Sequence, residues 1–157
     1  MKLVRFGAKG AEKPGLVDGA GRLRDLSAHV AELSGAALAP AALAALAALD
    51  AESLPLVPEG VRLGSCVPQP GNFIAIGLNF ADHAAETGNP IPAEPVVFNK
   101  APNCICGPDD EILIPRESTK LDWEVELAFV VGTRARYVEE KDALTHIAGF
   151  CLCNDVS

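Results

Sequence analysis

Positive charge is scarce in this sequence: 13 Lys and Arg stand against 21 Asp and Glu, a net charge of -8. That balance argues against nucleic acid or an anionic membrane as partner. Long hydrophobic runs are missing too, and none approaches the roughly 20 residues that span a bilayer. The start, Met1-Lys-Leu-Val-Arg-Phe6, is too short and too charged for a secretory signal, so the cytoplasm is the expected compartment. Cys-x-x-Cys is absent. The five cysteines include two Cys-x-Cys pairs, Cys104/Cys106 and Cys151/Cys153, each within a strand-like segment. Their spacing is poor for a four-thiolate metal site, and in a reducing compartment they can serve simply as small buried hydrophobes.

What is present is a strong alternation. In Asp122-Trp-Glu-Val-Glu-Leu-Ala-Phe-Val-Val131, apolar Trp123, Val125, Leu127, Phe129 and Val131 interleave with Asp122, Glu124 and Glu126. Period two predicts a strand, with Glu124 and Glu126 aimed to one face. Two readings follow. Either this is the wet face of an antiparallel edge strand, or two carboxylates beside an apolar run are neutralised by a cation. All-oxygen ligands suit Mg²⁺, with Mn²⁺ or Ca²⁺ as alternatives, better than Zn²⁺.

At 157 residues the chain can bury a real core. Residues 1–65 are expected to form a small N-terminal α+β domain, and 66–157 a second, mostly β one. In the first, Leu3–Phe6, Gly15–Val17 and Arg22–Leu26 are strand candidates. Ser27 is a candidate N-cap for a helix over 28–33, and the alanine-rich 36–51 predicts one helix with Pro40 in its first turn. In the second, strands are expected over 61–67, 73–77, 96–100, 112–115 and 150–156. A short helix started by Asn79 and ended by Gly88 places His83 and Glu86 one turn apart. Such a pair can be surface decoration, or a general base with a carboxylate that stabilises its imidazolium. Lys100 ends a strand, where it is either solvated or a ligand for an anionic substrate. Residues 139–146 predict a short amphipathic helix with Ala143 and Leu144 inward, and Asp155 closes the last strand.

Five segments, taken together and in order, resemble the fumarylacetoacetate hydrolase family. They are Gly77-Leu-Asn-Phe-Ala-Asp-His-Ala-Ala-Glu86, Pro95-Val-Val-Phe-Asn-Lys100, Gly107-Pro-Asp-Asp-Glu-Ile-Leu-Ile-Pro115, Asp122-Trp-Glu-Val-Glu-Leu127 and Ala148-Gly-Phe-Cys-Leu-Cys-Asn-Asp-Val-Ser157. Within the family the flavour is that of bacterial 2,4-diketo sugar acid hydrolases, some named ureidoglycolate lyase. The resemblance implies a mixed β-roll behind the small N-terminal domain, usually as a homodimer. It implies Glu124, Glu126 and Asp155 as ligands of a divalent metal such as Mg²⁺. His83 would be the base, oriented by Glu86 on a helix that orders as a lid, with Lys100 near the substrate. The implied reaction is cleavage of a C–C bond in a 2,4-dioxo acid through a metal-stabilised pyruvate enolate. Lyase, decarboxylase or isomerase chemistry on the same site stays open. Relatives continue well past the Asn154-Asp-Val-Ser157 motif with further strands, so the β-roll is expected to be incomplete here and the chain a fragment. A catalytically inactive metal-binding fragment or pseudoenzyme is the competing expectation.

Overall fold

A computed structural model describes residues 1–157. Seven short strands and two short α-helices, joined by 3-10 turns, make the architecture α+β and mostly strand. No helix is long and apolar enough to cross a membrane. The backbone divides into two compact units, one of residues 1–68 with 106–157, the other of 69–105.

In the larger unit, β1 (Lys2–Phe6), β2 (Lys13–Val17) and β3 (Leu23–Asp25) form an antiparallel meander with β2 in the middle. The β2–β3 turn is built by Asp18. Its Oδ1 accepts from the backbone N–H of Ala20 and Arg22, and its Oδ2 from Nε of Arg22 and Arg24, all within 2.8–3.0 Å. The Arg22 N–H, then the two guanidinium groups, hold the buried carboxyl down at about 2 despite its burial. Gly21 supplies the positive φ the turn requires. Gly15 allows close packing: a Cβ there would lie 2.9 Å from both the Arg24 carbonyl oxygen and the Phe6 ring.

The core of this unit is Leu16, Leu26, Leu33, Leu46 and Leu54. Leu46 comes from α1 (Pro40–Ala47), which begins with Pro40 at N1, and Leu49 just beyond its end packs against the same core. The alanine-rich tract is thus helical only in its middle, flanked by 3-10 turns at Gly35–Leu38 and Ala51–Ser53. The helix expected over 28–33 does not form. One turn closes, with Val30 N–H donating to the Leu26 carbonyl, and it goes no further. Ser27 does not cap; its N–H donates instead to Asp25 Oδ1. Burying both Leu26 and Leu33 completely outweighs the local helix signal.

The expected strand over 61–67 reduces to one bridge, Phe6 to Leu63, beside β1. Arg62 fastens this segment. It forks onto both Asp110 oxygens at 2.6 Å, and its Nη1 donates to Glu12 Oε1 at 2.8 Å. Asp110 lies in the expected 107–110 turn, where it also accepts from the Gly107 N–H. Residues 112–115 find no partner strand and are exposed. Cys104 lies in a 3-10 turn, not a strand. Residues 140–146 form a 3-10 helix, with Ala143 and Leu144 outward rather than inward. Its His146 Nδ1 sits 3.0 Å from the Thr133 hydroxyl.

β6 (Val125–Val131) and β7 (Ile147–Asn154) pair antiparallel. In the smaller unit β4 (Phe73–Gly77) pairs antiparallel with β5 (Val96–Lys100), on the bounds the sequence predicts. On β4, Ile74 and Ile76 are exposed. α2 (Ala81–Glu86) lies between the two strands in the chain.

Candidate active site

The β6–β7 register determines which side chains share a face. Val125 lies opposite Asn154, Glu126 opposite Cys153 and Leu127 opposite Leu152. Pairing runs on past the strand ends: Asp155 N–H donates to the Glu124 carbonyl at 2.8 Å, and Asp122 and Ser157 exchange both backbone hydrogen bonds. Glu124 and Asp155 are therefore directly opposite, with Glu126 one pleat further on. Because successive residues alternate faces, all three carboxylates belong to one face. Glu124 and Asp155 stand 31 positions apart in the chain.

That face is not the wet one. Glu124, Glu126, Ala128, Val130, Cys151, Cys153 and Asp155 are all half-buried, whereas Val125, Leu127, Phe129, Phe150 and Leu152 on the other face are exposed. The wet-edge reading of Glu124 and Glu126 thus fails on burial. Asn154 and Ser157 hold the strand end: Glu124 N–H donates to Asn154 Oδ1 at 3.0 Å, and the Ser157 hydroxyl to Glu124 Oε1 at 3.4 Å. Both lie in the Asn154-Asp-Val-Ser157 motif, but their roles at the strand end arise only from the cross-strand register.

The three carboxylates share a face without their side chains being gathered into a ligand cluster of three or more. The donor set still fits a hard cation. It is all oxygen, it comes from adjacent register positions, and three like charges on one half-buried face repel unless neutralised.

The smaller unit carries the other candidates. α2 is capped by Phe80 rather than Asn79, with no side-chain cap, and the Asp82 carboxylate accepts from the His83 N–H at 2.9 Å. Gly88, at positive φ, ends the helix as expected. His83 is half-buried and Glu86 exposed, on neighbouring positions of the same helical turn. Lys100 closes β5 opposite Phe73 and is half-buried. A residue that sequence reasoning passed over is Leu78, between β4 and α2, whose φ of 51° is left-handed. A branched side chain there costs about 1–2 kcal/mol, and such strain concentrates at functional turns. It lets α2 begin within four residues of the end of β4.

Short antiparallel ladders and few helices make a mixed, mostly β fold. The profile of the fumarylacetoacetate (FAA) hydrolase C-terminal domain matches residues 72–157, and the chain belongs to this family. It is 57% identical over all 157 residues to a protein of Burkholderia ambifaria named "Putative hydrolase". Among solved structures it is similar to a fumarylacetoacetate hydrolase from psychrophilic Exiguobacterium antarcticum, at 32% identity and a TM-score of 0.75 over the whole chain. A "probable 2-hydroxyhepta-2,4-diene-1,7-dioate isomerase" from Mycobacterium abscessus matches at 31% identity and a TM-score of 0.70. The chain spans 56% of the first two proteins and 52% of the third.

Proposed function

We propose that these residues belong to a divalent-metal-dependent hydrolase that cleaves a C–C bond in 2,4-dioxo acids of the acylpyruvate or diketo sugar acid type. The observation that carries this reading is the β6–β7 register, which turns Glu124, Glu126 and Asp155 to one half-buried face. The three would hold Mg²⁺, or Mn²⁺ or Ca²⁺ in its place. When bound, the cation supplies Lewis-acid stabilisation of negative charge developing on the substrate's 2-oxo group, an effect worth several kcal/mol. The His83 ring takes a proton from water, the role imidazole fills most often in general-base catalysis. Glu86, one turn along α2, stabilises the resulting imidazolium. The hydroxide adds to the distal carbonyl and the C–C bond breaks toward a pyruvate product. The Lys100 ammonium offers the countercharge for a substrate carboxylate. Like many of its family, the protein is expected to work as a homodimer in the cytoplasm.

A second reading is isomerisation on the same constellation, favoured by the name of the M. abscessus structure. One assay separates them. The full-length protein that contains this chain is given an acylpyruvate with Mg²⁺ and then with EDTA. Metal-dependent release of pyruvate is the expected result. Conversion of an unsaturated dioate without cleavage would favour the isomerase, and turnover of simple esters indifferent to EDTA would overturn the metal site.

A further inference from the structure

The smaller unit is an insertion: the chain leaves the larger unit after Pro68 and re-enters it at Cys106. Within the larger unit, the residues next to those two crossings lie against each other. The approach is backbone to backbone, since a Cβ on Gly107 would run into the Leu63 carbonyl oxygen and lie 3.2 Å from the Gly64 Cα. Arg62 closes this junction with its fork onto Asp110, and the Gly107 N–H donates to the same carboxylate. The outgoing segment is itself fastened to the end of β1. Gly64 N–H donates to the Arg5 carbonyl at 2.8 Å, and Gly7 N–H to the Arg62 carbonyl at 2.9 Å.

The fork is one link in a longer run of alternating charge. Arg62 bridges Asp110 to Glu12, Glu12 lies 3.5 Å from Arg5, and Arg5 forks in turn onto Glu32. The Asp110 side chain is 15% exposed, and those of Glu12 and Arg5 are 9% and 8% exposed. Bidentate and largely screened from water, such contacts are stronger than surface ion pairs. Removing one partner leaves the other's charge buried and unpaired. The Arg62 guanidinium, then the Gly107 N–H, holds the Asp110 carboxyl well below the usual carboxylate range, so the junction stays charged at neutral pH. The 107–110 turn already has its own backbone hydrogen bond, from Asp110 N–H to the Gly107 carbonyl. The fork is additional to it, and it spans 48 positions of chain that include the whole insertion.

We propose that Arg62 and Asp110 are a positioning pair, clasping the root of the 69–105 insertion that carries His83, Glu86 and Lys100. Both crossings pass through one ion-paired junction, so a single pair sets where the insertion starts and where it ends. A loop closed at its root has fewer conformations than one whose ends move independently. The catalytic consequence rests on the reading of His83 as the base. In that reading the base and the β6–β7 carboxylates belong to different units and must act on one substrate. A misplacement of about 1 Å, caused far from the chemistry, can cost about a hundredfold in rate. Arg62 and Asp110 act through the insertion and need not touch substrate.

The test compares the full-length protein that contains this chain with its Asp110→Asn, Arg62→Lys and Asp18→Asn variants. Two measurements are made, amide hydrogen exchange and Mg²⁺-dependent release of pyruvate from an acylpyruvate. Asp110→Asn should speed exchange about tenfold or more in peptides over 61–66 and 105–111, while the meander strands keep their protection. Its kcat should fall about tenfold to a hundredfold, with KM and Mg²⁺ affinity close to native. Arg62→Lys keeps the charge but loses the fork, and should lie between the two. Asp18→Asn removes a carboxylate that is equally paired, but in the meander, and should leave both kcat and exchange at the junction unchanged. Unchanged exchange in Asp110→Asn would overturn the clasp, and faster exchange with native kcat would overturn the positioning role. An equal loss of kcat in Asp18→Asn, or protection lost throughout both junction variants, would overturn it in favour of general stability. If the native protein releases no pyruvate, the hydrolase reading alone fails, and the exchange comparison still decides the clasp.

Discussion

The β1–β3 meander and the β6–β7 ladder lie in one compact unit, yet they bury opposite things. The meander encloses leucines: Leu26 is 0% exposed, and its charged residues are tied in fixed pairs such as Asp18 with Arg24 and Arg5 with Glu32. The ladder half-buries its carboxylates and thiols and leaves its apolar side open, with Leu152 at 79% and Leu127 at 66%. A finished hydrophobic core drives folding by removing apolar surface from water. The ladder's inward polar face does the reverse and costs desolvation. Core stability and the candidate metal ligands are therefore expected in different strands of the same unit.

The largest effect that tests this separation lies in chemistry. In the full-length protein, His83→Ala should lower kcat by about two to four orders of magnitude, typical for loss of a general base. Its Mg²⁺ affinity, read by titration, should barely change. Near-normal turnover would return His83 to the helix surface. Next is Leu26→Ala, expected to cost about 2–5 kcal/mol in urea unfolding. A loss below 1 kcal/mol would mean the meander is not the core that holds this unit.

Acid should act on the meander as well. Asp18 is held at about 2, below the roughly 3.9 of a free aspartate. Its contribution to stability is present above about pH 4 and is lost as pH falls through about 2. Unfolding midpoints measured from pH 5 to 2 should fall, and Asp18→Asn should flatten the part due to this group. A parallel fall in both proteins would break the assignment.

The ladder should respond with the opposite sign. Glu124 faces Asp155 directly, so Glu124→Gln in metal-free protein should raise stability by roughly 0.2–1 kcal/mol through relief of like-charge repulsion. The same change should weaken Mg²⁺ binding. Destabilisation without metal would mean that the carboxylate is structural. The smallest effect is expected at Leu152→Ala, within about 0.5 kcal/mol for the 157-residue chain because the side chain is already in water. A larger loss would show that the open face is covered in solution.

Much of this was legible in advance. The bounds of β4 and β5, the Pro40 start of α1, the Gly88 stop of α2 and the 107–110 turn are local matters of alternation, ring geometry and positive φ, which a sequence states directly. Glu124 and Glu126 on one face followed from period two alone. Elsewhere local signals lost to partners far away. The 28–33 helix gave way to the burial of Leu26 and Leu33, the 61–67 strand shrank to one bridge, and 112–115 found no neighbour to pair with.

By itself the sequence determined the family, the alternation of β6 and the pairing of His83 with Glu86 on a single turn. Only the tertiary structure decided that Asp155 lies opposite Glu124 and on the glutamates' face, since a register shifted by one residue would have turned it away. It also decided that this face, and not the apolar one, is the more buried. Strand periodicity says which residues share a side. It cannot say which side the rest of the molecule covers, because that depends on contacts between residues far apart in the chain.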